Sequence, residues 1–353
     1  MHHKTTLGTS NSKKCNGSQV KRLHITNGDS AADIIGQTSI SGEVLPWRDP
    51  MHHGPFPAGD DLHEISRVRA RYLAGPDLDL AQVEAGFRER DDKLLSAASF
   101  DSVVLWFEHD LLDQLQILQI LDCLGTMNLG ETSVEMICIN EFPGIEPFRG
   151  IGQLNTDQMA SLFDKRTVVT EAAIELAKAG WAAFCSDDPQ ALTGFLDQDF
   201  TALPFLRAAL LRHLEEYPST INGLSRTEQQ IMQMVADGVH SPGDLFGQNM
   251  EFEQALFIGD WRTYSTIEAL CDAGLLTCEP GPFWHPPRSR EEFKTFIAQH
   301  INLTSQGKRV LAGEATADGL GTNDFWLGGV HFSPDQPIWM WDNTKACLTR
   351  QNP

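Results

Sequence analysis

The stretch Ser102-Val103-Val104-Leu105-Trp106-Phe107 constrains this chain more than any other. It is an almost continuous apolar run of strand length, and without in–out alternation it reads as a strand covered on both faces. Such strands belong to parallel sheets, whose crossover connections lay helices on either side. The flanking sequence agrees. Asp110–Leu124 reads as a helix, with Asp110 and Asp113 suited to its first turn. Leu23-His24-Ile25-Thr26 is a short strand signal, and the turn Asn27-Gly28-Asp29-Ser30 supplies N-cap oxygens for a helix over Ala31–Gly36. Glu43–Leu45 reads as a second strand running into a long loop, Pro46–Gly59, and Ser133–Ile139 as a fourth. Helices are expected over Asp61–Ala74, where Leu62, Ile65, Arg69 and Tyr72 keep helical spacing, and over Leu80–Ala97. Strands alternating with helices predict an α/β fold with a Rossmann-like parallel sheet over residues 22–150.

The remainder divides by texture. Residues 1–21 are polar and without apolar periodicity, as in a disordered tail. From 151 to 223 helix follows helix with no strand signal. Over 224–353 the run LSRTEQQIMQMVADG, a short helix at Pro242–Phe246, a longer one at Trp261–Ala273 and a Gly-Leu-Leu turn give a winged-helix-like ordering. Phe325–Phe332 and Ile338–Asp342 are expected to pair as a terminal hairpin.

Charge narrows the partners. The 353 residues carry 27 Lys+Arg against 48 Asp+Glu, a net −21, and the acid excess holds on both sides of Pro204. Non-specific phosphate-backbone binding needs the opposite sign, so the helix-turn-helix-like run predicts a packing or dimerisation module, compatible with a homodimer, ahead of a DNA reader. No apolar stretch approaches the roughly 18–20 residues a membrane-spanning helix needs, and the opening residues lack a signal-peptide core. A cytoplasmic protein with no membrane partner is expected. The seven cysteines are scattered without a CxxC pair, which indicates reduced thiols.

Ligands of open parallel sheets bind beyond the carboxyl ends of the strands. That edge should collect Asn27, Gly28, Asp29 and Ser30 from the first turn, and Trp47, Arg48, Asp49, His52 and His53 from the second. The third contributes Glu108, His109 and Asp110, and the fourth Asn140 and Glu141. Asp29, Asp49, Glu108 and Asp110 are candidate acid/base carboxylates, and His53 or His109 a proton shuttle near neutral pH. Arg48, Arg67 and Arg71 are the expected anion clamp, with Asn27, Gly28, Ser30, Trp47 and Asn140 as further ligand contacts. A divalent metal on His24, Asp49, His53 or Glu108 is chemically reasonable, because imidazole with carboxylate suits Zn, Mn or Fe. Other chemistries lack their motifs. GxGxxG and GxxxxGK are absent, and His63-Glu64 opens an HExxH that Arg67 closes wrongly. Gly28-Asp29-Ser30 matches the first block of GDS-type esterases, whereas Gly321-Thr322-Asn323-Asp324 and Asp60-Asp61-Leu62-His63 follow in reversed order. These residues predict a small-molecule-binding protein, a hydrolase or transferase for a phosphate- or ribose-bearing ligand. The competing reading is a ligand-sensing regulator with a winged-helix-like output unit that contacts DNA or a protein.

Four strings, LHITNGDS at 23–30, VLPWRDPMHHGPFP at 44–57, HEISRVRARYLAG and LWFEHDLLDQLQILQIL, together resemble the bacterial domain-of-unknown-function family numbered 1835. The later LPFLRAALLRHLEEYPSTINGLSRTEQQIM and FWLGGVHF are similar to the domain numbered 3658 that accompanies it. The resemblance implies no activity. It implies that His24, Gly28, Asp29, Ser30, Trp47, Asp49, His53, Gly54, Pro55, Glu108, His109, Asp110 and Gln114 lie within the family's characteristic motifs.

Overall fold

The computed structural model of the chain describes residues 20–59, 61–76, 78–281, 290–317, 324–333 and 336–351. Nearly all of the expected tail lies outside them, as do Asp60 and residues 321–323 of the esterase-like blocks. Among the described residues no helix is long and apolar enough to cross a membrane.

The protein is mixed α/β, built on a five-stranded, mostly parallel sheet. β1 (Arg22–Thr26), β2 (Glu43–Pro46), β3 (Ser102–Glu108), β4 (Ser133–Ile139) and β5 (Thr167–Val168) stand in the order β2-β1-β3-β4-β5. The first four run parallel, and β5 joins the edge antiparallel. β5 has only two residues, too few for a periodicity, and so reads in sequence as the start of a helix.

Strand β3 is buried over its whole length. Val103, Leu105 and Phe107 face one core, which they share with the loop residues Trp47, Met51 and Phe56 and with α4 (Leu111–Thr126), while Val104 and Trp106 face another with Ala31 and Ile35 of α1 (Asp29–Gln37). α2 (Leu62–Ala74) and α3 (Leu80–Leu95) pair with each other. α5 (Thr156–Leu162) lies on the α1 side, and α6 (Glu171–Phe184), α7 (Gln190–Phe195) and α8 (Leu206–Leu214) extend the α4 side.

A separate core gathers α9 (Arg226–Ala236), α10 (Pro242–Phe252), α11 (Asp260–Asp272), α12 (Arg290–Ile297), α13 (Ser305–Leu311) and the antiparallel pair β6 (Leu276–Glu279) and β7 (His300–Leu303). The terminal hairpin differs from expectation. Phe325–Phe332 folds on itself through Gly328-Gly329 as β8 (Phe325–Leu327) and β9 (Val330–Phe332), and β10 (Ile338–Asp342) pairs with β11 (Cys347–Gln351). Leu327, Phe332, Trp341 and Leu348 bury their side chains in the core of the sheet.

The loop after β2 is pinned by buried ion pairs. Arg69 of α2 donates to both oxygens of Asp49, at 2.6 Å in the shortest contact, and to the carbonyls of Pro50 and His53, with both charged side chains closed to solvent. Arg90 holds Asp91 at 2.7 Å and lies over the Trp47 ring. Gly54 is left-handed at φ +83°, and a Cβ there would fall 2.4 Å from Arg69 Nη1. Removing one partner of a buried pair strands the other charge. Asp49→Ala is therefore expected to cost about 3–5 kcal/mol in a urea melt; a loss below about 1 kcal/mol would show that the pair is not what fixes the loop.

Candidate functional site

The strand ends converge. Trp47 N–H donates to the Thr26 carbonyl and Arg48 N–H to the Asn27 carbonyl, which joins the second turn to the first. Asn27 Nδ2 donates to Glu108 Oε1 at 3.3 Å, which joins the first to the third. Gln114 Nε2 reaches both the Glu108 carbonyl at 2.9 Å and Cys138 of β4.

At this junction the chain folds in three carboxylates. Glu108, Asp110 and Asp113 are all buried, and one oxygen from each lies within 4.8 Å of the others. Local geometry fixes each. Asp110 is the N-cap of α4 and accepts from Asp113 N–H at 2.9 Å; Asp113 Oδ2 accepts from Glu108 N–H at 2.6 Å. Glu108 also accepts from Ile151 N–H, and a Cβ on Gly150, at φ +146°, would lie 2.2 Å from its Oε1. Asp113 Oδ1 is buried with no hydrogen-bond donor. Among the described residues no Lys or Arg forms a salt bridge with any of the three.

Burial raises all three carboxyls. The Glu108 carboxyl goes to about 8, with the Asp110 charge adding to the burial; Asp110 goes to about 6 through burial; Asp113 lies well above the usual range through burial and then its two neighbours' charges. A site of this kind either keeps protons at neutral pH or holds a cation.

The other expected residues occupy different places. Asp29 forms a salt bridge with Arg48 at 2.7 Å, both 64% exposed, a contact worth at most about 1 kcal/mol. Neither cap oxygen serves α1, whose N-cap is Gly28 without a side-chain bond. Ser30 instead packs beside Gly152. Asp49 is consumed by Arg69, and Trp47 is a core residue that donates to Gln119 Oε1 at 2.9 Å. His24 accepts from Trp106 Nε1 and contacts the Ser41 carbonyl, so both ring nitrogens are engaged; burial lowers its pKa.

His53 is pushed down to about 3 by burial, with the Arg69 and Arg262 charges adding to it. Held that low, the imidazole stays uncharged and is a weak base near neutral pH, which ill suits the shuttle role. Arg67 pairs with Glu64 and lines a cavity between α2 and α3, away from the strand ends, and Arg71 is exposed on the same helix. Asn140 and Glu141 are exposed after β4.

His109 borders a cavity of about 300 Å³ between the end of β3, α8 and residues 253–257. Its Nε2 lies 3.2 Å from the Gln254 carbonyl, which can only accept, so that nitrogen carries the proton and the buried Nδ1 is left without a donor. Phe205 and Phe257 give the cavity aromatic walls; Arg212, Arg226 and Glu253 give it charge. Sequence reasoning missed these residues and Asp113. Asp113 carried a signal, its i+3 spacing from Asp110, which was assigned to the helix dipole.

The carboxyls bind protons more tightly folded than unfolded, where values of 4.5 and 3.8 return. The native chain therefore holds more protons between about pH 4 and pH 8, and stability falls as pH rises through that window. Asp113→Asn, which places an amide where Oδ1 lacks a donor, is expected to flatten this decline in chemical denaturation run with a chelator; an unchanged slope would contradict a shared-proton carboxylate site.

No protein-family model matches this chain, and no curated protein matches it.

Proposed function

We propose that this chain is a small-molecule-binding α/β protein with a Rossmann-like sheet, acting as a hydrolase or transferase on a phosphate- or ribose-bearing ligand at the carboxyl edge of that sheet. The observation that carries the reading is the convergence of Glu108, Asp110 and Asp113 in a buried site that, among the described residues, no Lys or Arg salt-bridges. All-oxygen donor sets suit Mg²⁺, Mn²⁺ or Ca²⁺, and such an ion would satisfy Asp113 Oδ1 and offset two of the three carboxylate charges. A bound divalent ion polarises a phosphoryl oxygen or lowers the pKa of a water. The chain's own part is to hold Glu108 against Asn27 and the Ile151 amide and to keep Asp113 pinned to the β3 backbone. The resemblance to the families numbered 1835 and 3658 implies that Glu108, Asp110 and Gln114 lie within motifs of the former, which would agree with this reading.

A second reading, a ligand-sensing regulator, draws on contacts between the sheet edge and the end of α10: Arg149 with Glu251, and His109 with the Gln254 carbonyl. In that reading the winged-helix-like output unit expected over 224–353 has its core in α9–α13, β6 and β7. Its α11 carries Arg262 against Asp260, Glu268 and Asp272, so a protein partner suits it better than DNA.

Manganese separates the first reading from its absence. After chelator treatment, Mn²⁺ at about 100 times its dissociation constant should add about 2.7 kcal/mol to wild-type stability in a thermal-shift assay, and nothing to Asp113→Asn. Equal shifts in both proteins, or no shift in either, would overturn the cation site.

A further inference from the structure

Beside the His109 cavity lies a cluster of arginines and carboxylates contributed by α8, α9 and the segment after α10. Arg212 of α8 places Nε at 3.1 Å from both oxygens of Glu253 and Nη2 at 2.8 Å from Oε1, and Arg226, the first residue of α9, donates Nη2 to Oε2 at 3.1 Å. Two guanidiniums from different helices thus close on one carboxylate, whose side chain is only 3% exposed. Arg212 also lies 3.5 Å over the Phe257 ring, and the whole group lines the cavity beside His109.

Each arginine has a partner besides Glu253: Glu216 at 2.6 Å from Arg212, and Glu215 at 2.6 Å from Arg226. Glu253 is the carboxylate they share. It stands just past the end of α10, in extended backbone, and the five residues from Glu253 to Phe257 form one side of the cavity.

We propose that Arg212 and Arg226 form the anion subsite of the ligand pocket, that it takes a phosphoryl group, and that Glu253 is its internal occupant, displaced when the ligand binds. Three guanidinium nitrogens converge on Glu253, one more than a carboxylate has oxygens and equal to the terminal oxygens of a phosphate monoester. A phosphoryl group brings more negative charge to the two guanidiniums than the single carboxylate it displaces, which favours the exchange, while Glu215 and Glu216 on the same arginines oppose it. The carbonyl that receives His109 Nε2–H belongs to Gln254, so release of Glu253 also loosens the contact at the end of β3. This inference rests on the reading that the ligand sits at the carboxyl edge of the sheet, and it supplies the chemical class of the group anchored there.

The test is calorimetric titration of inorganic phosphate into wild type, Glu253→Gln and the double variant Glu253→Gln/Arg226→Gln, each checked for a native circular dichroism spectrum. Glu253→Gln empties the clamp of its charge while keeping the side chain's size. It should bind phosphate at least tenfold tighter than wild type, and the second substitution should remove that gain. Where Glu253→Gln fails to fold, Glu253→Asp, which shortens the reach by one methylene, should give a smaller gain in the same direction. Phosphate binding no tighter than wild type in a folded Glu253 variant, or a gain that survives loss of Arg226, would overturn the proposal. Asp113→Asn, which tests the cation site, leaves this clamp intact, so either inference can fail while the other stands.

Discussion

Three carboxylates buried together, with no arginine salt-bridged to them among the described residues, set the terms for the centre of this protein. Elsewhere the chain gives several of the acids it buries an arginine: Asp49 has Arg69, Asp91 has Arg90, and Glu216 has Arg212. At the end of β3 it does not, and every neighbouring feature accommodates the consequence. Asp110 starts α4, Asp113 fastens that helix to the β3 backbone, Asn27 ties β1 to Glu108, and Gly150 is bare because Glu108 occupies the space of a Cβ. Burying such a cluster costs stability unless protons or a cation occupy it. That cost is the physical argument for a function at this edge.

The edge is also where the second core meets the first. Arg149, His109, Arg212 and Arg226 reach residues between Glu251 and Phe257, so the end of α10 and the segment after it lie across the cavity beside the carboxylates. A ligand at the strand ends, as we propose, would therefore bear on that segment. This holds for an enzyme whose pocket must open and equally for a sensor that passes a signal to the α9–α13 unit.

Much of the architecture was legible because its signals are local and strong. The apolar run of β3, the turn after β1 and the caps of α2 and α4 are fixed by a few neighbouring residues, and the parallel sheet follows from them. β5 and the pairing of the terminal strands were not legible, since a two-residue edge strand and the choice between adjacent hairpins are decided by tertiary packing. Strand-end reasoning named Asn27, Glu108 and Asp110, which the structure brings to one junction. It also gathered Asp29, Arg48 and Asp49, which pair with cations or anions of their own. Arg69 keeps the helical spacing of Leu62 and Ile65 and is the buried arginine of α2, while Arg67 and Arg71, expected as a clamp, stay on its exposed side. Arg212, Arg226 and Glu253 escaped notice because their partnership spans three helices and leaves no spacing in the sequence.

The central claim is that the Glu108–Asp110–Asp113 junction is a cation site and not merely a proton-sharing knot. A crystal of the wild-type protein grown with Mn²⁺, with anomalous data collected at the manganese edge, tests it most directly. The account predicts a peak at coordination distance, roughly 2.0–2.6 Å, from oxygens of these three side chains. A junction without a peak in a crystal that binds manganese elsewhere would contradict it.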